Sequence, residues 1–323
     1  MDADLVDQCT AAIGCSKQSF PQNYLGLPLS ASKLPQSAFS TYVDKTDRFL
    51  SSWQASVLNN MGRVVLINSV LDSQLVYIMS ATQVPPDVIK LIDRRRRSFL
   101  WSGNKESSAA KCLVAWTNVC TTKEWGGLGI RDLGTQNICL LLNLIHRLHC
   151  AHSSAWAAWI RQRADIANMR CDNLGHHWKL LRSLLPLYQA ITTVQIEDGC
   201  TTLFWTDVWN GDDALADRFP RLYSHCTRKD DTVQQAIASN LQGAFVNRLS
   251  PHAQQELQLL IGLIQQMTLS ALPDKRLSPF SRSPDKLDTS TIYKLLKARG
   301  QPNDPASTFI WKNAAPQSTT GNA

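Results

Sequence analysis

Apolar residues recur at three- and four-residue steps over long stretches of this chain, and short polar breaks separate one stretch from the next. Phe39, Tyr42, Val43, Phe49, Leu50 and Trp53 share one helical face. Met61, Val64, Val65, Leu71, Leu75, Ile78 and Met79 form a second stripe. Pro85-Pro86 ends that helix and opens a third, because proline suits a first helical turn and Asp87 complements the positive helix end. The third helix carries Val88, Ile89, Ile92 and Phe99 and stops at Ser102-Gly103-Asn104. Short connections predict an antiparallel bundle of these three. Farther on, Ile138, Leu141, Leu142, Ile145 and Leu148 mark another helix, two more are expected between Ala151 and Tyr188, and Gln254–Met267 is amphipathic.

Extended structure is sparse. Met1–Ser30 reads as an extended segment ending in Tyr24-Leu25-Gly26-Leu27-Pro28-Leu29, with an edge strand in need of a partner. Cys112–Trp116 reads as a short strand, and Gly126-Gly127-Leu128-Gly129-Ile130 as a turn into the next helix. Thr192–Ile196 and Thr201–Trp205 flank Glu197-Asp198-Gly199 as a β-hairpin would. Leu272–Asp288, rich in Pro, Ser and charge, reads as a loop or linker. The expected fold is mainly α with a small β-hairpin element: a helical bundle followed by a mixed α+β unit.

With 323 residues and 44% hydrophobic positions, the chain has mass for two compact units. No run approaches the roughly 18 consecutive apolar residues of a membrane helix. Met1-Asp2-Ala3-Asp4-Leu5 lacks the pattern of a secretory signal, so an intracellular location, nucleus or cytoplasm, is expected. The nine cysteines are scattered without any C-x-x-C pair and are expected to be reduced. A net charge of +7 favours a polyanionic partner.

The ordered set Tyr24-Leu25-Gly26-Leu27-Pro28-Leu29, Trp53, Gly62-Arg63-Val64-Val65-Leu66-Ile67-Asn68-Ser69-Val70-Leu71, Arg97-Ser98-Phe99-Leu100-Trp101 and Gly126-Gly127-Leu128-Gly129-Ile130 resembles plant LINE-type (non-LTR) retrotransposon reverse transcriptases just after the polymerase palm. Asp198-Gly199, Phe204-Trp205-Thr206-Asp207-Val208-Trp209, Thr291-Ile292-Tyr293-Lys294-Leu295-Leu296 and Ile310-Trp311-Lys312 continue the likeness towards that family's zinc-binding tail. It implies a palm-proximal remnant at 1–33, a thumb-like bundle at 34–150, a helical and β-hairpin unit at 151–316 and a divergent tail at 317–323. It also implies that the family's catalytic aspartates lie upstream of the position of Tyr24, and its Cys/His zinc motif beyond that of Trp311. The chain is therefore expected to lack catalysis, cofactor and metal.

Local chemistry agrees with that expectation. Two-metal nucleotidyl transfer needs carboxylates from several strands holding ions about 3.5–4 Å apart. The Asp212-Asp213 pair instead follows Trp209 in a polar turn, so a metal-dependent nuclease is a remote alternative. His146, His149, Cys150 and His152 are the best zinc candidates, but His152 falls past the helix end, and histidines near a helix C-terminus are favourable without metal. The Gly126–Gly129 turn lacks the third glycine of a dinucleotide loop, with Asp132 in its place.

One functional signal remains. Arg94-Arg95-Arg96-Arg97 fans around a helix, but Lys90, Arg94 and Arg97 align at i, i+4 and i+7 and form a candidate nucleic-acid-binding strip. Arg96 is expected to lie near the Ile92–Phe99 face and to snorkel from it. Trp156, Trp159, Trp205 and Trp209 are expected in the core rather than as stacking platforms. The expected activity is weak, sequence-independent binding of an RNA or DNA duplex through its backbone, with no small-molecule substrate and no membrane. The alternative is a domesticated module that binds a protein.

Overall fold

A computed structural model describes residues 3–15, 18–30, 32–50, 57–103, 112–150, 155–171 and 175–298. Trp53, Asn104, His152, Ile310-Trp311-Lys312 and the segment 317–323 lie outside them.

The first thirty residues are not simply extended. Leu5, Cys9 and Ile13, four apart, lie on helix α1 (Ala3–Ile13). The strand that followed in expectation finds its partner next door. β1 (Gln22–Tyr24) pairs antiparallel with β2 (Leu27–Leu29) across a two-residue turn, Leu25-Gly26, with φ of 50° and 82°. Positive φ at both turn residues matches the twist of a tight hairpin. Tyr42 Oη donates to Gly26 O at 2.5 Å and Tyr77 Oη to Leu25 O at 3.2 Å, so two tyrosines of the bundle clamp the turn.

The bundle forms where periodicity placed it. α2 (Ser40–Leu50) follows a 3₁₀ turn at Gln36–Phe39. α3 (Asn60–Ala81) starts at Asn59, whose side chain accepts from Gly62 N at 2.8 Å, and it widens into a π-helical turn at Ile67–Leu71. α4 (Pro86–Ser102) closes on Gly103, in the left-handed region at φ 72°, where glycine is the natural helix terminator. Val64, Ile67, Leu71, Phe99 and Leu100 fill one part of the interior, and Phe39, Tyr42, Leu75, Ile78, Val88 and Ile92 fill another. Phe49 and Val65 face outward instead; Ile67, three residues on from Val64, takes the core position.

α3 is long and apolar enough by length and composition to cross a membrane. In this fold its apolar face is the bundle interior, and its Asp72 is buried there against Arg96.

Cys112–Trp116 is not a strand: the chain turns into one helical turn at Trp116–Val119. The Gly126–Gly129 loop then returns onto the end of that turn. Leu128 N bonds to Val119 O and Gly129 N to Thr121 O. A Cβ at Gly127 would sit 2.1 Å from Thr121 O, so only glycine allows this approach. Asp132 then caps α5 (Leu133–His149) through Thr135 N at 2.8 Å. α5 touches both halves. Leu133 and Leu140 join the bundle, while Cys139, Leu141, Leu142, Ile145 and Leu148 join a second core with α6 (Ala155–Arg161), α7 (Gly175–Gln189) and Ile292 of α9 (Thr289–Ala298).

The expected hairpin of 192–196 with 201–205 does not form. β3 (Thr193–Gln195) pairs antiparallel with β4 (Lys275–Leu277), Val194 opposite Arg276. The cause is Asp274. One of its carboxylate oxygens accepts from Glu197 N and Gly199 N, each at 2.9 Å, and the other from Thr202 Oγ1 at 2.7 Å. Those donors wrap a buried carboxylate rather than a facing strand. Leu272–Asp288 is accordingly no linker: it supplies β4, β5 (Ser281–Ser283) and β6 (Lys286–Leu287), and buries Asp274, Arg276 and Leu287. A last cluster joins Phe204, Trp205 and Phe219 to Leu260 and Ile264 of α8 (Pro251–Gln265). The fold is mainly α with small two-stranded β elements.

Candidate nucleic-acid interface

α4 is held in one rotational register by the middle of its arginine run. Arg96 is fully buried, and this corrects the expectation that it snorkels. Its Nη2 meets Asp72 at 3.0 Å, its Nη1 meets Asp93 at 2.6 Å, and Nη2 donates to Arg131 O at 2.8 Å. Trp116 lies against the guanidinium, 5.4 Å from its ring centroid. Burial alone would lower the Arg96 pKa, but Asp72 and Asp93 lift it above the ordinary value, so the cation persists. Burial pushes Asp72 up to about 6 despite Arg96. Asp72 is 24 residues away and was invisible as a partner in the basic run.

Locking Arg96 inward turns its neighbours outward in a definite way. Lys90 is 78% exposed and pairs with Asp87 at 3.2 Å. Arg94 is exposed and forms no ion pair among the described residues. Arg95 is drawn to Asp47 of α2 at 3.1 Å. Arg97 is half-buried, its guanidinium 5.7 Å from the Trp116 ring centroid. Of the expected strip, Lys90 and Arg94 therefore project into solvent, Lys90 beside Asp87, and Arg97 lies over an indole at the strip's end. Trp116 comes from another segment, so nothing in the sequence of α4 announces it.

The motifs behind the family likeness are closures of the fold. Asn68, in the π turn, donates to Gly129 O at 3.2 Å and accepts from Arg131 N at 3.4 Å. Two of the motifs thus bond to each other. Asp207 binds Arg276 through two contacts of 2.9 and 2.7 Å and accepts Leu203 N at 2.7 Å. Trp209 Nε1 donates to Phe204 O at 2.8 Å.

The histidine cluster near the end of α5 is a hydrogen-bonded core. A carbonyl only accepts, so His146 Nε2–H donates to Pro284 O at 3.1 Å and Nδ1 accepts from Tyr188 Oη at 3.0 Å. His149 Nδ1–H likewise donates to Ile145 O at 3.0 Å. Burial lowers both histidine pKa values, that of His149 well below the ordinary range. The Cys150 thiol donates to the same Pro284 carbonyl, and burial raises its pKa to about 11. These atoms serve the protein's own groups and do not converge on an ion. Among the described residues no group of three or more His, Cys, Asp or Glu is placed to hold a metal. Asp212 and Asp213 sit in an exposed turn.

The tryptophans divide. Trp205 is buried and Trp209 half-buried, as expected. Trp156 and Trp159 are exposed, correcting the core expectation for both: α6 is so short that only Ala157 and Ile160 reach the core from its inner side.

The fold and the comparisons together define a class: mainly helical chains with relatives in Arabidopsis thaliana. The chain is similar to "Putative ribonuclease H protein At1g65750", 26% identical over 191 residues, 57% of this chain but only 31% of that protein. It is also 30% identical over 142 residues to "Uncharacterized mitochondrial protein AtMg00310", covering 42% of this chain and 90% of the relative. The chain belongs to the family of that mitochondrial protein. No family model matches it.

Proposed function

We propose that this chain is a non-catalytic part of a plant non-LTR retrotransposon reverse transcriptase that holds duplex RNA or DNA by its backbone. Lys90 and Arg94 carry the reading: they project from a helix whose register is fixed by the buried Arg96. The ordered motifs support it, as does similarity to a protein named for ribonuclease H. In this reading 34–150 serves as the thumb-like bundle, 151–316 as the unit leading to the family's zinc-binding region, and the location is intracellular.

Polymerase or ribonuclease H chemistry is not proposed for this stretch. The buried carboxylates Asp72, Asp207 and Asp274 and the half-buried Asp93 are each engaged by arginines or by backbone and hydroxyl donors. Primer extension with Mg²⁺ or Mn²⁺ should give no product; incorporation abolished by an Asp212 substitution would refute the assignment.

Duplex binding measured at several salt concentrations tests the strip. Each neutralised phosphate contributes about 0.9 to the fall of log K with log salt, so three contacts give a slope of roughly −3. The double variant Lys90→Gln/Arg94→Gln should flatten that slope by about 2 and weaken all sequences alike. Coincident slopes from two folded proteins would reduce the run to a solvated face. A second reading, a protein-binding module, draws on the exposed Tyr24, Leu25 and Tyr77 gathered at the hairpin turn. Salt-insensitive binding to a protein would favour it.

A further inference from the structure

We propose that α6 presents a stacking platform for single-stranded nucleic acid, built from Trp156 and Trp159 with Arg147 and Arg163. The two indoles are three residues apart on one helix and so lie on the same face. The adjoining side, with Ala157 fully buried and Ile160 packed on the core, anchors the helix. Trp159 is 52% exposed and Trp156 37%, unlike Trp178 and Trp205, which are enclosed.

Each ring is backed by a cation. The Arg163 guanidinium lies 4.2 Å from the Trp159 ring centroid and donates to Trp159 O at 3.3 Å. The Arg147 guanidinium lies 5.4 Å from that of Trp156. Arg161 is spent on Leu148 O and Cys150 O, where it ties α6 to the end of α5. Between Asp132 and Asp165 the sequence contains no acidic residue and three arginines. Asp165 is turned to Asn168, accepting from its N at 3.1 Å and Nδ2 at 2.9 Å, and Asp285 is the carboxylate that acts on Arg147.

A partly exposed indole beside a guanidinium offers a flat π surface next to positive charge. That combination suits an unstacked base with its phosphate. A duplex hides its base faces, so the platform selects single strands. The remaining residues of α6 between the rings are alanines, which give an aliphatic protein partner little to grip. The proposal stands apart from the α4 strip, which reads backbone only.

The test uses the full chain and a labelled oligo(dT) of about twelve nucleotides, beside a duplex of equal length. Anisotropy titration should show Trp159→Ala weakening oligo(dT) binding about tenfold, with Trp159→Phe restoring most of it and duplex affinity held within about twofold. Oligo(dT) should also quench the parent's tryptophan emission, which reads stacking without reference to any variant. Lys90→Gln/Arg94→Gln should retain the Trp159-dependent oligo(dT) binding even if the duplex reading fails. The proposal is overturned if the parent neither binds nor is quenched by oligo(dT). It is equally overturned if Trp159→Ala matches the parent, or if single-strand and duplex affinity fall together.

Discussion

Arg96 and Arg276 are both enclosed guanidinium groups, one in each half of the molecule, and they are compensated differently. Arg96 shares two carboxylates, Asp72 and Asp93, under the Trp116 ring. Arg276 has one, Asp207, held through both nitrogens, with Thr201 O at 3.2 Å and the Tyr188 ring beside it. At the bundle site burial is felt as a raised Asp72 pKa, about 6, although Arg96 and Arg131 both oppose it. At the Arg276 site, where Asp207 and Asp274 both support the guanidinium, the effect falls on a neighbouring imidazole. Burial and the Arg276 charge together hold His149 well below the ordinary histidine range. Two buried ion pairs thus sit beside groups with opposite responses to acid: burial raises a carboxylate at one and lowers an imidazole at the other.

The largest effect should come from Asp207→Ala. It leaves Arg276 buried without its ion-pair partner and Leu203 N without its acceptor, at a cost of about 3–5 kcal/mol in denaturant unfolding. Replacing both partners, Asp207→Leu with Arg276→Met, should recover most of that loss. A single variant costing under about 1 kcal/mol would show that the pair is not what closes this half.

Arg96→Met should cost somewhat less, about 3 kcal/mol, because a carboxylate left behind can take up a proton. The loss should shrink as pH falls through the range in which Asp72 titrates. An unchanging deficit between pH 8 and pH 5 would mean that Asp72 is not the stranded charge. Gly127→Ala should follow at about 2 kcal/mol, since its methyl meets the Thr121 carbonyl in the loop that presents Arg131 O to Arg96.

The smallest effect is the most diagnostic for the comparison. A lowered histidine pKa contributes stability above about 6.5 that is lost as pH falls through the folded-state value. A raised Asp72 pKa works in reverse: its contribution is full below 3.8 and is lost as pH rises through about 6. Between pH 7 and pH 5, amide protection around Tyr188 should fall while that around Asp72 holds or rises. His149→Phe should weaken the first trend, leaving the share that His146 carries, and spare the second. Parallel trends in both regions would erase the distinction.

Periodicity and caps made α3, α4, α5, α7 and α8 legible, because those signals are local: Pro86 opens α4 and Gly103 closes it. What escaped depends on partners remote in sequence. Val194 meets Arg276 across some eighty intervening residues, and nothing near Thr192–Trp205 announces that Asp274 will take its amides. A faint signal existed in Leu272–Asp288, where Asp274 and Arg276 alternate with exposed Lys275 and Leu277, a strand's period with charge on the inner side. For the candidate strip, the i, i+4, i+7 spacing found Lys90 and Arg94, but Trp116 beneath Arg97 came from another segment. Arg163, four residues after Trp159, was the local cue that this indole meets solvent.

α5 is a single rod built into two walls. One flank carries Leu133 and Leu140, the other Cys139, Leu141, Leu142, Ile145 and Leu148, and Tyr293 of α9 reaches back to take Asp132 N at 2.8 Å where the rod begins. A chain severed after Cys150 would keep the rod but strip one wall from it, leaving a greasy flank about three turns long bare to water. Such a half-molecule should cluster with its own copies rather than stand as a tidy miniature of the parent, and any protease cutting there would release a sticky fragment.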